Sequence, residues 1–285
     1  MLQPSSAPTG PLSCKDSCMV RLVDDFLVIS ASRSKAEGVL RCLQSGIPGR
    51  KIDLNNEKTK ANFRVPVVGG ALEPNVYRDG ASCFVPWCGL LINTESLEIQ
   101  ADYRRHLKGH VRSSLNVTLS KRPVRQLKLK LCLYLRPKCH PLLFDPAVNG
   151  PATIRLNIYQ AFLLCAVKLH CSVSAISWSR RPRQSVLLSA IQSAISYMGR
   201  LLRSRMATAQ KSTGGGCGNT VSRCHVTWLG LTGFCFILRR KQSAYKDVLG
   251  WMEQERRREV YRHLWRHLRD VVDERKSLVF CNMIY

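Results

Sequence analysis

Two adjacent aspartates, Asp24 and Asp25, are the residues of this 285-residue chain whose type and spacing point most directly to chemistry. Apolar, β-prone segments flank them, Met19–Val23 before and Phe26–Ile29 after, which predicts a hairpin with both carboxylates at its reversal. Adjacent carboxylates repel each other, and a tight turn ordinarily favours Asn-Gly or Asp-Gly. Mg²⁺ would remove the repulsion, because it prefers carboxylate oxygens together with substrate phosphates. An isolated Asp-Asp pair is more often a surface turn, so the flanking residues must distinguish a surface turn from a metal site.

The elements that position this pair belong to a β-containing first third of the chain. A helix is predicted from Ser32 to about Ser45, because Ser32 can cap it and apolar residues recur at helical spacing. Short strands are predicted around a turn at Asn55–Thr59, followed by a Gly/Pro-rich linker at Val68–Pro74. A further β-prone stretch covers Cys83–Ile92.

From about Tyr103 onward the apolar spacing becomes helical. The candidate helices are Val124–Leu135, Thr153–Ser174, Val186–Arg205, Arg223–Arg240 and Tyr245–Arg269. This order predicts an α+β fold with segregated helices. We divide the chain into an irregular leader at 1–19, a β-containing domain at 20–100 and a helical, basic domain at 101–285.

The charge balance indicates a polyanionic partner. Forty-four Lys and Arg against 19 Asp and Glu give a net charge of +25 and a pI near 10.0. Nucleic acid is the first candidate and an anionic membrane surface the second, although a ribosomal-type basic protein explains the charge equally well. Basic residues with almost no acids between them crowd the span 104–138, a density that suits backbone phosphates bound without sequence readout.

The 13 cysteines do not indicate zinc or disulfides. No Cys-x-x-Cys pair is present, whereas zinc sites usually contain short paired spacings. Most of these cysteines fall in apolar stretches, which favours free thiols in a reducing compartment. The apolar window Ile154–Trp178 is interrupted by Arg155 and Lys168, so no membrane partner is expected.

Three ordered motifs resemble those of telomerase reverse transcriptases. The segment Arg21–Ile29, with Val23 before the two aspartates, resembles their motif C. Residues from Gly46 to Phe63 are similar to motif D, and Phe84–Leu91 is similar to motif E, the primer grip. Further segments resemble the C-terminal extension of the family: Val111–Leu115, Leu135–His140 and Asn157–Tyr159. The resemblance implies a partial reverse-transcriptase palm followed by a mostly helical thumb.

The resemblance also implies roles for individual residues. Asp24 and Asp25 would bind the catalytic metal ions, and Lys58 would stabilise charge or donate a proton at the leaving pyrophosphate. A solvated turn lysine is an equally good interpretation of Lys58. The primer-grip residues would be Trp87, Cys88, Gly89 and Leu90. The nucleic-acid-binding residues of the thumb would be Arg112, Arg136 and Lys138.

The function implied by the family is RNA-templated DNA synthesis that adds telomeric repeats to chromosome 3′ ends by a two-metal, Mg²⁺-dependent nucleotidyl transfer. The implied partners are the telomerase RNA template, a telomeric DNA primer, dNTP and the remaining N-terminal part of the polymerase. The implied location is the nucleus, at the telomeric region of chromosomes.

Such a site needs a third carboxylate from an earlier strand. Only 23 residues precede Asp24, and Asp16 is the sole acidic residue among them. The chain would then be a truncated product, a gene-model fragment or a piece of a longer protein, and we expect it to be inactive by itself. Two other interpretations stay open: a non-catalytic module that binds RNA–DNA hybrids and retains a vestigial palm, and a retroelement-type reverse transcriptase. The combination of Val-Asp-Asp-Phe with Trp-Cys-Gly-Leu-Leu argues against the second.

Overall fold

The computed structural model of this chain describes residues 16–45, 54–55, 57–67, 70–80, 82–115, 123–176, 181–213 and 221–285. The fold is α+β, as predicted. The chain forms two compact units, Met1–Glu95 and Ser96–Tyr285. Antiparallel strands dominate the described part of the first unit, and helices dominate that of the second.

The first unit begins with the predicted hairpin. Strand β1, Ser17–Leu22, pairs antiparallel with β2, Asp25–Ser30. Leu22 lies opposite Asp25, so the two-residue loop consists of Val23 and Asp24 and the reversal comes one residue earlier than predicted. The predicted leader is wrong from Ser17 onward, because the apolar residues that follow support a strand. The leader's residues 1–15 lie outside the described residues.

Helix α1, Arg33–Gln44, confirms the predicted helix after the hairpin and buries Val39 and Leu43. Ser32 occupies the N-cap position with extended backbone, but its hydroxyl bonds the Ser34 hydroxyl at 2.9 Å and caps no backbone amide. The stability of α1 therefore depends on its buried apolar face rather than on the cap.

Short strands complete the first unit. Strands β3, Val65–Val67, and β4, Gly70–Leu72, pair antiparallel, so the predicted linker at Val68–Pro74 is wrong where β4 lies. Strands β5, Tyr77–Asp79, β6, Ser82–Trp87, and β7, Leu90–Asn93, form an antiparallel meander. Strands β6 and β7 confirm the β-prone character predicted for Cys83–Ile92, but an unpredicted turn at Cys88–Gly89 divides that stretch.

The second unit consists mainly of helices. Its elements are β8 Ile99–Ala101, α2 Pro123–Leu135, α3 Pro151–Ser174, α4 Gln184–Thr213, α5 Arg223–Leu238, α6 Lys246–Arg256, α7 Leu264–Leu268 and α8 Leu278–Cys281. Helix α3 is the core: its length and mean hydropathy of 1.3 would suit a membrane span, but 89% of that window is buried inside the protein. The Glu98 carboxylate accepts hydrogen bonds from the Gly150 amide (2.6 Å) and the Thr153 hydroxyl (2.9 Å), which fixes the start of α3.

The long C-terminal helix predicted for Tyr245–Arg269 is wrong. Helix α6 ends at Arg256, and Arg258 adopts extended backbone before a 3₁₀ turn and the short α7. This break lets Tyr261 enter the core, and that burial outweighs the local helix propensity. Arginine and glutamate side chains are interspersed along this segment and form two ion pairs, one between Arg258 and Glu255 and one between Arg262 and Glu259.

Candidate active site

The loop that carries Asp24 is a strained tight turn. Val23 has a φ of +57°, which is unfavourable for a β-branched residue. Its side chain is 76% exposed, so packing does not compensate for the strain. The Arg21 guanidinium donates a hydrogen bond to the Val23 carbonyl at 2.8 Å and lies 5.4 Å from the centre of the Phe26 ring. Arg21 therefore holds this turn, a role that the sequence alone did not suggest.

The second tight turn joins β6 to β7 through Cys88 and Gly89. Both residues have positive φ, +47° and +79°, as a type I′ hairpin turn requires. A Cβ at Gly89 would meet no atom within 4 Å. The glycine is therefore required by the backbone conformation, and it leaves the tip open to a ligand.

These two turns meet. The Cys88 thiol donates a hydrogen bond to Asp25 Oδ2 at 3.3 Å, although the residues are 63 positions apart in sequence. Burial and the neighbouring Asp25 carboxylate raise the pKa of the Cys88 thiol above its ordinary value. The thiol is therefore neutral near pH 7 and acts as the donor. The structure brings together a predicted metal ligand and a predicted primer-grip residue.

The oxygens of Asp24 and Asp25 are accessible. Both residues are exposed, and neither forms an ion pair with any residue that the structure describes. Exposed carboxylates without cationic partners are the hard oxygen donors that Mg²⁺ prefers. The donors therefore match Mg²⁺ in kind.

A third metal ligand is not found in the described part of the chain, where no group of three His, Cys, Asp or Glu residues could hold a metal ion. Asp16 lies at the opposite end of the hairpin from the turn, next to Ser17, which pairs with Ser30. Its carboxylate lies 3.6 Å from the Lys35 ammonium. Asp16 therefore does not complete the site.

The remaining predicted residues of the first unit differ in placement. Lys58 is exposed in the turn predicted there, where its amide donates to the Asn55 carbonyl at 3.1 Å, and the structure shows no contact of its ammonium with the aspartates. Trp87 and Leu90 are half-buried and flank the Cys88–Gly89 turn. The Trp87 indole Nε1 is buried and has no hydrogen-bond partner among the described residues.

In the second unit, Arg112 is exposed on the 3₁₀ turn Val111–Ser114. The His110 Nδ1 accepts a hydrogen bond from the Arg112 amide at 3.1 Å. The C-terminal segment also supports this turn, because the Val111 amide donates to the Ile284 carbonyl at 2.9 Å. A fixed backbone thus presents the Arg112 guanidinium to solvent.

Arg136 is exposed and lines an open cavity of about 630 Å³. The other lining residues are Leu133, Pro137, Cys139, His140, Pro141 and Arg205. Two guanidinium groups and an imidazole thus share one concave surface that contains no carboxylate. The placement suits an anion.

Lys138 lies two residues beyond Arg136 but faces inward. It is half-buried, with Nζ 4.9 Å from the centre of the Tyr103 ring. Burial, assisted by Arg105 and Lys168, lowers the pKa of the Lys138 ammonium to about 8. A count of basic residues does not distinguish such a lysine from a surface one.

Comparison with known proteins supports the resemblance found in the sequence. Residues 125–253 match the family described as telomerase reverse transcriptase, C-terminal extension. Over 270 residues, or 92% of this chain, the sequence is 39% identical to a telomerase reverse transcriptase of Oryza sativa subsp. japonica, of which it covers 21%. The telomerase reverse transcriptase of Arabidopsis thaliana is 35% identical over 82% of this chain, which covers 21% of that protein. The one of Bos taurus is 34% identical over 86% of this chain, which covers 22% of that protein.

The chain therefore spans about a fifth of the length of the curated relatives that it matches. Among solved structures, it is similar to telomerase from Candida albicans in complex with a TWJ fragment of telomeric RNA. That similarity has a TM-score of 0.44 and 17% identity, and covers 84% of this chain and 30% of the other.

Proposed function

This chain belongs to the telomerase reverse transcriptase family, and from that premise we propose that it supplies part of an RNA-directed DNA polymerase that extends chromosome 3′ ends. Residues 20–100 would be the C-terminal part of the palm, and residues 101–285 the helical thumb. The contact between the Cys88 thiol and Asp25 Oδ2 supports this proposal most directly, because it joins a metal-ligand turn to a primer-contacting turn.

In the proposed reaction, the primer 3′-hydroxyl attacks the α-phosphate of a dNTP, the new ester bond forms and pyrophosphate leaves. Asp24 and Asp25 would hold Mg²⁺, which supplies charge stabilisation at the attacking and leaving oxygens when bound. The open backbone at Gly89, with Trp87 and Leu90 on either side, would support the primer strand at its 3′ end. Lys58, which is exposed in its turn, would stabilise charge or donate a proton at the leaving pyrophosphate.

The partners follow from this role. The thumb would bind the hybrid of the telomerase RNA template and the telomeric DNA primer, with Arg112 and Arg136 on phosphates, and the remaining N-terminal part of the polymerase would supply further metal ligands. We place the complex in the nucleus, at telomeres. We also propose that the 285-residue chain has no polymerase activity alone, because the two-metal site needs a further carboxylate from the rest of the polymerase.

The test is Asp24→Ala in a complex reconstituted with the remaining polymerase segment and the templating RNA. We expect primer extension to fall by at least about a hundredfold, as for loss of a principal electrostatic group, while hybrid affinity stays within about twofold. Unchanged extension would refute the metal-ligand role. Mg²⁺-dependent extension by the pure 285-residue chain would refute the proposed dependence on other segments.

The lack of a third metal ligand among the described residues favours one alternative, a non-catalytic module that binds RNA–DNA hybrids. In that case Asp24→Ala changes neither extension nor binding. The polymerase proposal and the binding-module alternative both predict that hybrid binding weakens steeply as the salt concentration rises, because phosphate contacts release counterions. A flat salt dependence would contradict both.

A further inference from the structure

A cluster of cations in the helical unit has too little negative charge to balance it. Lys138 follows α2, Lys168 lies on α3, and Arg105 lies on the 3₁₀ turn Arg104–Leu107. Each lysine is half-buried against an aromatic ring: Lys138 Nζ is 4.9 Å from the centre of Tyr103, and Lys168 Nζ is 4.9 Å from that of Tyr134. Lys138 thus lies beside Tyr103, two residues before Arg105 in sequence, and Lys168 lies beside Tyr134, four residues before Lys138.

The nearby acid does not neutralise this cluster. Asp102 raises the pKa of the Lys138 ammonium, but it is the last of the influences on that group. Its two carboxylate oxygens accept hydrogen bonds from the Arg104 guanidinium at 2.9 and 2.7 Å. No ion pair of Lys138, Lys168 or Arg105 is present among the described residues. Buried charges ordinarily have a partner of opposite sign.

The groups lower one another's proton affinity. Burial, Arg105 and Lys168 lower the pKa of Lys138 to about 8, and burial and Arg105 also lower the pKa of Lys168. His106, whose Nε2 accepts a hydrogen bond from Arg105 Nε at 3.4 Å, has its pKa lowered to about 4 by burial and then by the same cations. A bound anion would reverse these effects, since an opposite charge favours the protonated lysines.

We propose that Arg105, Lys138 and Lys168 form a binding site for a phosphate group. The guanidinium supplies paired N–H donors and the two ammonium groups supply point charges, the combination that recognises a tetrahedral oxyanion. The aromatic rings of Tyr103 and Tyr134 hold the ammonium groups in place through cation–π contacts. The phosphate comes either from the backbone of a nucleic acid, in which case the inference rests on the proposed function, or from a free phosphate or pyrophosphate.

Thermal unfolding of the full 285-residue chain tests the site, with sodium pyrophosphate compared with sodium chloride at equal ionic strength. We expect pyrophosphate to raise the melting temperature by about 3 °C at saturation, and Lys138→Met and Lys168→Met to abolish that shift. Both variants should fold, because each removes a desolvated charge and keeps an apolar stem of similar length. The matched control is Lys108→Met, which removes an exposed ammonium near the cluster and should retain the full shift.

A second arm distinguishes the sources of phosphate. If a backbone phosphate occupies the cluster, Lys138→Met weakens RNA–DNA hybrid binding by about tenfold, as for loss of a charge-assisted hydrogen bond, and Lys108→Met by much less. If hybrid affinity is unchanged in Lys138→Met while the pyrophosphate shift is lost, the site takes free phosphate. A wild-type chain without a pyrophosphate-specific shift overturns the proposal, even if hybrid binds tightly. A wild-type chain that shows the shift but binds no hybrid supports this site and refutes the thumb function.

Discussion

At the scale of single residues, backbone strain is concentrated where the candidate site lies. Val23 and Cys88, at the two turns that meet, account for two of the three non-glycine residues with positive φ among those described. Strain of this kind costs about 1–3 kcal/mol per residue and persists where other contacts enforce it. The sequence indicated the turn at Asp24 but not the one at Cys88, which falls inside a stretch predicted as continuous strand. It also could not indicate the contact between Cys88 and Asp25, because nothing local records a pairing across 63 positions.

A side chain at Gly89 should be destabilising because of the backbone conformation there rather than for lack of space. Gly89→Ala places a Cβ in open space but at a φ of +79°, which should destabilise the β6–β7 hairpin by about 1 kcal/mol. The control is Gly38→Ala in α1, which also meets no atom within 4 Å and has no positive φ; it should stabilise α1 by about 0.5–1 kcal/mol. Hydrogen exchange of the amides in each element measures both effects. Equal effects of the two substitutions would contradict the assigned conformation.

His106 should make the helical unit sensitive to acid. Its pKa is lowered from 6.5 to about 4, so between these values the unfolded chain binds a proton that the folded chain does not. Stability is therefore full above pH 6.5 and falls as the pH drops toward 4. Over that interval wild type should lose about 2 kcal/mol more than His106→Gln, in which no imidazole titrates. Urea unfolding at pH 7 and pH 4 measures the difference, and parallel losses would refute it.

At the scale of elements, the sequence predicted those with strong apolar periodicity and missed those that depend on distant contacts. The hairpin, α1, α2, α3 and α5 follow from local pattern. Strand β4 was missed because Gly/Pro composition indicates a linker even where a short hairpin forms. The break after α6 was missed because Arg256–Arg258 contains no helix breaker. Burial of Tyr261 favours the break, and local sequence does not show that burial.

Helix α5 packs against α4 and α3 so closely that a side chain at Gly230 would clash. A Cβ at Gly230 would lie 2.7 Å from Ile195 Cγ1 and 3.2 Å from Phe162 Cζ. Gly230→Ala should therefore lower the stability of the helical unit by about 1–3 kcal/mol. The matched control is Gly250→Ala in α6, which meets no atom within 4 Å and should be neutral or stabilising. Chemical denaturation followed by helical circular dichroism checks both, and an unaffected Gly230→Ala would show that α5 can move away from Ile195.

At the scale of the whole molecule, the net charge of +25 predicted a polyanionic partner but not the distribution of the charges. Arg112 and Arg136 are exposed, whereas Lys138 and Lys168 are half-buried and Lys128 donates to the Ser189 hydroxyl at 2.7 Å. Basic residues thus serve a surface, a half-buried cluster and a helix–helix contact. Composition cannot separate these roles because they depend on tertiary packing.

The central claim is that the Asp25 and Cys88 turns form one site at the primer 3′ end. A primer with a disulfide-activated tether on its 3′-terminal phosphate, added to the reconstituted complex with its RNA, tests it directly. We predict that the primer cross-links to Cys88, that Cys88→Ser removes the cross-linked product, and that Cys42→Ser, which alters another exposed thiol, leaves it unchanged. A product that persists in Cys88→Ser, or that depends equally on Cys42, would contradict the claim.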